Sequence, residues 1–349
     1  MSFLETALSR RKLLAGSAAA LGCSCLAGCH LPATGSDRKR LLSATAGEVV
    51  DRRSYGRIEK LDDRTYAFVS TPFDAEGGAG GRTTHSNGGL VAGDDGVLLI
   101  DSFRRPEGAV WAAEFAYKTF GMRPTHVVCT HFHFDHVGGL AGLIHAGVVP
   151  EIIMSQTTAD RCRAANGAWI GEDEQSKWSR PAIHQWGGFL IGPTRVLADE
   201  SEPVTLDLGG REVRLIPLRG HTDSDLAVEV SDPAVVYGGD LIWNGIFPNF
   251  MSATPSQHLQ SVHQILEHPR RIVVPGHGPA ASSDSAGIRQ FAQLLEHIQD
   301  HARMAHAAGR RAEDAASSFE VPASLGQWKY FRDGFHQSAM NAWYRELSA

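Results

Sequence analysis

The chain has 349 residues, 42% hydrophobic and 21% charged, a globular composition with ample core that excludes an intrinsically disordered chain. Its 33 basic and 39 acidic residues give a net charge of −6, a sign that would repel nucleic acid rather than attract it. Seventeen histidines are the one unusual count, and four of them fall between His126 and His136.

The N-terminus reads as an address. Arg10-Arg11 precedes a weakly apolar stretch and resembles a twin-arginine export signal; Leu26-Ala27-Gly28-Cys29 resembles a bacterial lipobox, which would make Cys29 the lipid-carrying residue. A membrane span is disfavoured, because Leu13 to Cys29 is short and contains Gly16, Ser17, Gly22, Ser24 and Gly28. Residues 1–28 are therefore expected as a cleaved signal and 29–54, rich in Ser, Thr, Arg and Lys, as a flexible tether. The expected location is the periplasm or cell envelope of a bacterium, with a lipid anchor in the membrane. Removing residues 1–28, which hold three basic residues and one acid, leaves a net charge of −8.

Beyond residue 55 short strands alternate with helices. Strands are predicted at 57–61, 65–70, 88–92 and 97–100, a helix at 107–120, a buried strand at 125–130 and a helix from Gly138-Gly139 to about His145. A strand at 152–155 and a helix at 157–166 follow. Residues 167–195 hold Trp169, Trp178 and Trp186 without either periodicity and read as an insertion or lid. A second group of strands is predicted at 204–208, 212–217, 225–230, 235–238 and 272–275, the first two as a hairpin around Gly209-Gly210. Helices are expected at 256–267, 285–308 and 327–347. The expected organisation is a main domain over 55–285 and a C-terminal helical extension over 286–349. Cys129 and Cys162 are expected as separate buried thiols.

Thr130-His131-Phe132-His133-Phe134-Asp135-His136 follows a predicted buried strand directly. In extended chain, residues two apart point to one side, so His131 and His133 can bind one ion. A turn at Gly138-Gly139 would re-aim Asp135 and His136 toward a neighbouring position. Imidazole nitrogen with carboxylate oxygen suits a borderline divalent ion such as zinc. Later candidates also follow strand-like segments beside glycine: His221 after Gly220, Asp240 after Gly238-Gly239, and His277 between Gly276 and Gly278. Asp101, at the end of a strand, is either a carboxylate holding a ligand histidine or a turn residue. His258 is among the histidines expected to be merely solvated or hydrogen-bonded.

This H-x-H-x-D-H motif with three later ligands resembles the metallo-β-lactamase superfamily over roughly residues 55–285. The resemblance implies an αββα four-layer sandwich with the site at one edge between two sheets. It implies that His131, His133 and His221 hold one metal, that Asp135, His136 and His277 hold a second, and that Asp240 bridges them. Two divalent ions about 3.5–4 Å apart, zinc first with iron or manganese as alternatives, would lower the pKa of a shared water to about 7 and make a bridging hydroxide the nucleophile. Asp135 is then the candidate proton shuttle. Members that cleave β-lactams generally lack the bridging aspartate, so Asp240 favours an ester, thioester, lactone or related bond of a small molecule. The segment around Asp240 and the aromatic C-terminus look like exported members grouped with quinoprotein-associated or cyclase-like hydrolases. A mono-iron persulfide dioxygenase-like oxidoreductase, a β-lactamase and a non-catalytic binding protein remain as alternatives. Trp243, Asn244, Phe247 and His85 are the candidate substrate contacts, with ordinary core packing as the competing role for the aromatics.

Overall fold

In the computed structural model, residues 45–70, 85–168, 193–268 and 271–349 are described. The first half of the chain forms an eight-stranded sheet in sequence order. Its strands are β1 (Glu48–Arg53), β2 (Gly56–Lys60), β3 (Thr65–Val69), β4 (Gly88–Ala92), β5 (Val97–Ile100), β6 (His126–Val128), β7 (Glu151–Ser155) and β8 (Arg195–Leu197). Pairing is antiparallel from β1 to β5 and parallel from β5 to β8. Parallel neighbours need a crossover, and helix α1 (Pro106–Phe120) supplies the one between β5 and β6. Pro106 sits in its first turn, where a missing N–H costs nothing, and Gly121 closes it at φ 72°. Short helices α2 (Phe134–Val137) and α3 (Leu140–His145) precede β7, and α4 (Gln156–Ala168) follows it.

The second sheet contains β9 (Val204–Asp207), β10 (Glu212–Leu218), β11 (Asp225–Val230), β12 (Val235–Trp243), β13 (Ile272–His277) and β14 (Ala281–Ser282). The β9–β10 hairpin pairs Leu206 with Val213, and Gly209 and Gly210 take φ 87° and 69°, the two positive values a tight hairpin turn requires. Helix α5 (Pro255–Leu266) makes the crossover to β13; α6 (Ala286–Ala307), α7 (Ala312–Ser317) and α8 (Phe335–Leu347) complete the chain.

Side-chain alternation builds the layers. In β3, Ala67 and Val69 point between the sheets while Tyr66 and Phe68 point to the helical side with Trp111 of α1. In β12, Val235 and Tyr237 face the first sheet and Val236 faces α5 and α6. Period-2 strands buried on both faces thus give three apolar layers, an αββα sandwich, as expected. The C-terminal helices close the outer face of the second sheet through Phe291, Leu294, Met340 and Trp343.

Three expectations are corrected. Residues 48–53 lie in the expected tether, yet they form β1, whose Val49 and Asp51 pair with Glu59 and Ile58; averaging composition over the segment hid this strand. Strand β12 runs on to Trp243, carrying Asp240 within it. The terminal helix begins only at Phe335, because Gly334 takes φ 85° and residues 328–331 are held against the chain after β12. Cys129 and Cys162 are buried free thiols, as expected. Cys29, Trp169, Trp178 and Trp186 lie outside the described residues. No helix among the described residues is long and apolar enough to cross a membrane.

Candidate metal centre

The strand ends of both sheets deliver the site. His131 lies three residues beyond β6, His221 three beyond β10, Asp240 within β12 and His277 at the end of β13. Locally, His133 occupies the N-cap of α2 in extended conformation, with φ −62° and ψ 143°.

 The turn that re-aims Asp135 and His136 begins at Phe134, with the Gly138 N–H donating to the Phe134 carbonyl, and not at Gly138-Gly139 as expected.

The seven residues fall into two groups, His131, His133, His221 and Asp240 in one and Asp135, His136 and His277 in the other. In the first, His133 Nδ1 lies 3.1 Å from His131 Nε2 and 2.9 Å from His221 Nε2, and His221 Nε2 lies 3.2 Å from Asp240 Oδ2. In the second, His277 Nε2 lies 3.4 Å from Asp135 Oδ2 and 3.3 Å from Asp240 Oδ1, and His136 Nε2 lies 3.1 Å from Asp240 Oδ1. Asp240 therefore turns one carboxylate oxygen to each group. Gly276 leaves room for it, since a Cβ there would stand 2.0 Å from Asp240 Oδ1.

The donor set fits divalent cations. Ligand atoms about 2.0–2.1 Å from a tetrahedral ion stand about 3.3 Å from one another, near the separations in both groups. His136 Nε2 and Asp240 Oδ1 are buried without a hydrogen-bond partner although only 3.1 Å apart, so both aim at a common point rather than at each other. Burial holds the His131 and His221 pKa values well below the ordinary histidine value, which keeps their rings neutral with a lone pair to donate. Burial also opposes charge on His136 and His277, but nearby carboxylates outweigh it. Asp101 and Asp240 raise His136 well above its ordinary value, and Asp240 and Asp135 push His277 up to about 9. The cluster thus attracts positive charge.

Surrounding residues fix the ligands. Asp101 Oδ2 accepts from His136 Nδ1 at 2.7 Å and from Thr130 Oγ1 at 2.9 Å, and its Oδ1 accepts from the Thr130 N–H at 2.8 Å. Of its two expected roles, Asp101 takes the ligand-holding one. Asn87 ties the sheets together beside His277: its Nδ2 donates to Pro275 O at 2.9 Å and Gly278 O at 2.6 Å, and its Oδ1 accepts from the Ser70 N–H at 3.0 Å. Ser252 Oγ lies 3.3 Å from His133 Nε2. Neither Asn87 nor Ser252 was picked out from sequence. Asn87 stands two residues from His85 and could have been; Ser252 carries no local signal.

The four candidate substrate contacts separate. His85, at φ 76°, places Nδ1 3.8 Å from Asp135 Oδ2, and the two side chains keep 18% and 20% exposure, so solvent reaches the second group beside them. Trp243 is buried with its ring 4.2 Å from that of His277 and its Nε1–H donating to Asp240 O at 2.8 Å, so it backs the ligands. Asn244 is buried and donates to Pro279 O at 2.8 Å. Phe247 is fully buried and stacks on Tyr330 at 5.1 Å, in the core of the C-terminal layer rather than at the site.

Known proteins resemble this chain in sequence or in fold. An acyl-coenzyme A thioesterase of Gallus gallus is 25% identical over 204 residues, 54% of this chain and 70% of that protein. The Homo sapiens protein of the same name is 24% identical over 162 residues, so the chain spans only 56% of its length. A metallo-beta-lactamase type 2 of Bacillus sp. (strain 170) is 26% identical over 204 residues, 57% of this chain and 68% of that protein. A metallo-beta-lactamase structure from Pontibacter korlensis superposes with a TM-score of 0.52 at 18% identity, over 69% of this chain and 99% of that one, a likeness of fold alone. The family model of the metallo-beta-lactamase superfamily matches residues 81–277, more than half of the chain and the stretch that carries all seven clustered residues. The chain belongs to the metallo-beta-lactamase superfamily.

Proposed function

We propose that this chain is a dinuclear metallohydrolase, zinc-dependent by preference, that cleaves an ester, thioester, lactone or related bond of a small molecule outside the cytoplasm. The observation that carries the reading is Asp240, whose Oδ2 faces His221 at 3.2 Å and whose Oδ1 faces His136 and His277 at 3.1 and 3.3 Å. His131, His133 and His221 would hold one cation, Asp135, His136 and His277 the other, with Asp240 shared. When bound, such a pair polarises a carbonyl oxygen and makes water acidic. Asp135 is partly exposed beside the second group, where its carboxylate can orient water and pass a proton to the leaving group. With a cation at Nε2, Asp101 would keep the remaining His136 proton on Nδ1. The thioesterase names among the relatives support a thioester among the candidate bonds. The Arg10-Arg11 pair and the Cys29 lipobox support export and anchoring.

Metal analysis of purified protein beside an ester, thioester, lactone, phosphodiester and β-lactam panel tests the reading. Two metals per chain with turnover of a carbonyl ester or thioester are expected. One iron with oxygen uptake would replace hydrolysis by oxygenase chemistry, and selective β-lactam turnover would move the substrate class.

A further inference from the structure

The family match ends at residue 277, yet a residue far beyond it reaches the site. Phe331 stacks on His85 with ring centroids 5.1 Å apart and planes 22° from parallel. It meets the edge of His277 at 4.9 Å and of Trp243 at 5.7 Å. The chain before it is latched in place: the Phe247 N–H donates to Lys329 O at 2.8 Å and the Lys329 N–H to Gly245 O at 3.1 Å, while Tyr330 stacks on Phe247. Phe331 itself is only partly buried. It therefore stands at the same solvent-facing side as His85 and Asp135, one ring away from a ligand of the second group.

We propose that Phe331 is a specificity-determining residue: it forms an apolar wall beside the second group against which an aryl or bulky alkyl acyl group of the substrate packs. The inference rests on the hydrolase reading for its reaction, but the pocket can be tested without it. An aromatic ring held by backbone hydrogen bonds offers apolar area with little ordering cost on binding.

The test uses the full-length, metal-loaded protein with Phe331→Ala, Phe331→Leu and Phe331→Tyr. Activity is compared on phenylacetyl and acetyl thioesters of one thiol, and binding of phenylacetate and acetate is measured by calorimetry, with circular dichroism and metal content as checks of folding. In Phe331→Ala the phenylacetyl-to-acetyl ratio of kcat/KM is expected to fall about 10- to 100-fold, with phenylacetate affinity falling alongside, while Phe331→Tyr keeps the preference. An unchanged ratio with unchanged phenylacetate binding overturns the proposal, as does an equal loss on both thioesters, which marks a structural role. If neither thioester turns over, loss of phenylacetate binding in a folded Phe331→Leu supports the pocket and counts against the hydrolase reading alone; undiminished binding counts against the pocket.

Discussion

Replacing Asp101 by asparagine tests how the second group is held. Asp101 takes φ 57°, a left-handed conformation that asparagine adopts as readily, so the change leaves the backbone unstrained. The Thr130 N–H needs an acceptor at Oδ1, which places the new amide NH2 where Oδ2 now accepts from His136 Nδ1 at 2.7 Å. Two donors would then face each other. His136 relieves the clash by moving its proton to Nε2, the atom that faces Asp240 Oδ1 at 3.1 Å, and that proton competes with a cation. Loss of such a supporting contact costs about 10- to 100-fold in metal affinity, or about 1.4–2.7 kcal/mol. Competition with a chromophoric chelator measures it. Asp101→Asn is expected to lose one of two ions at chelator concentrations that leave the original protein loaded. Retention of both ions at the original affinity would refute the reasoning.

Gly276→Ala should lose the shared carboxylate position, because its Cβ would fall 2.0 Å from Asp240 Oδ1; metal content is expected to drop below two per chain while circular dichroism stays close to that of the parent. Exhaustive chelation should lower the melting temperature, since ions that bind only the folded chain stabilise it; an unchanged melting temperature would argue against tight binding. His258 donates from Nε2 to Leu241 O at 3.0 Å, and burial pushes its pKa down to about 4. The unfolded chain binds the proton more readily, so stability is full above about pH 6.5 and falls by roughly 3 kcal/mol as pH drops toward 4. Denaturant melts of His258→Asn across that window should show a shallower slope, and an identical slope would discount the histidine. Burial pushes the Cys162 thiol up to about 12 and raises Cys129 well above its ordinary value, so both should react with a thiol reagent only after unfolding.

Local spacing made much of this protein legible. Short apolar runs at 65–70 and 97–100 marked strands, Gly209-Gly210 marked the turn of the hairpin between 204–208 and 212–217, and His131-x-His133 marked a metal pair, because each signal is written within a few residues. The weak strand at 48–53 and the late start of the last helix at Phe335 escaped, since pairing with β2 and the left-handed Gly334 decide them. His221, Asp240 and His277 were legible as candidates from their places after strand-like segments beside glycine, and which metal each would hold was readable only through resemblance; their separations of 2.9–3.4 Å come from the facing of two sheets. Tertiary structure alone settled that Asp101 holds His136 rather than merely capping a turn, that Phe247 is core, and that Phe331 stands at the site. Contacts between residues far apart in the chain depend on which strands pair and how the layers pack, and no periodicity along the sequence records that choice.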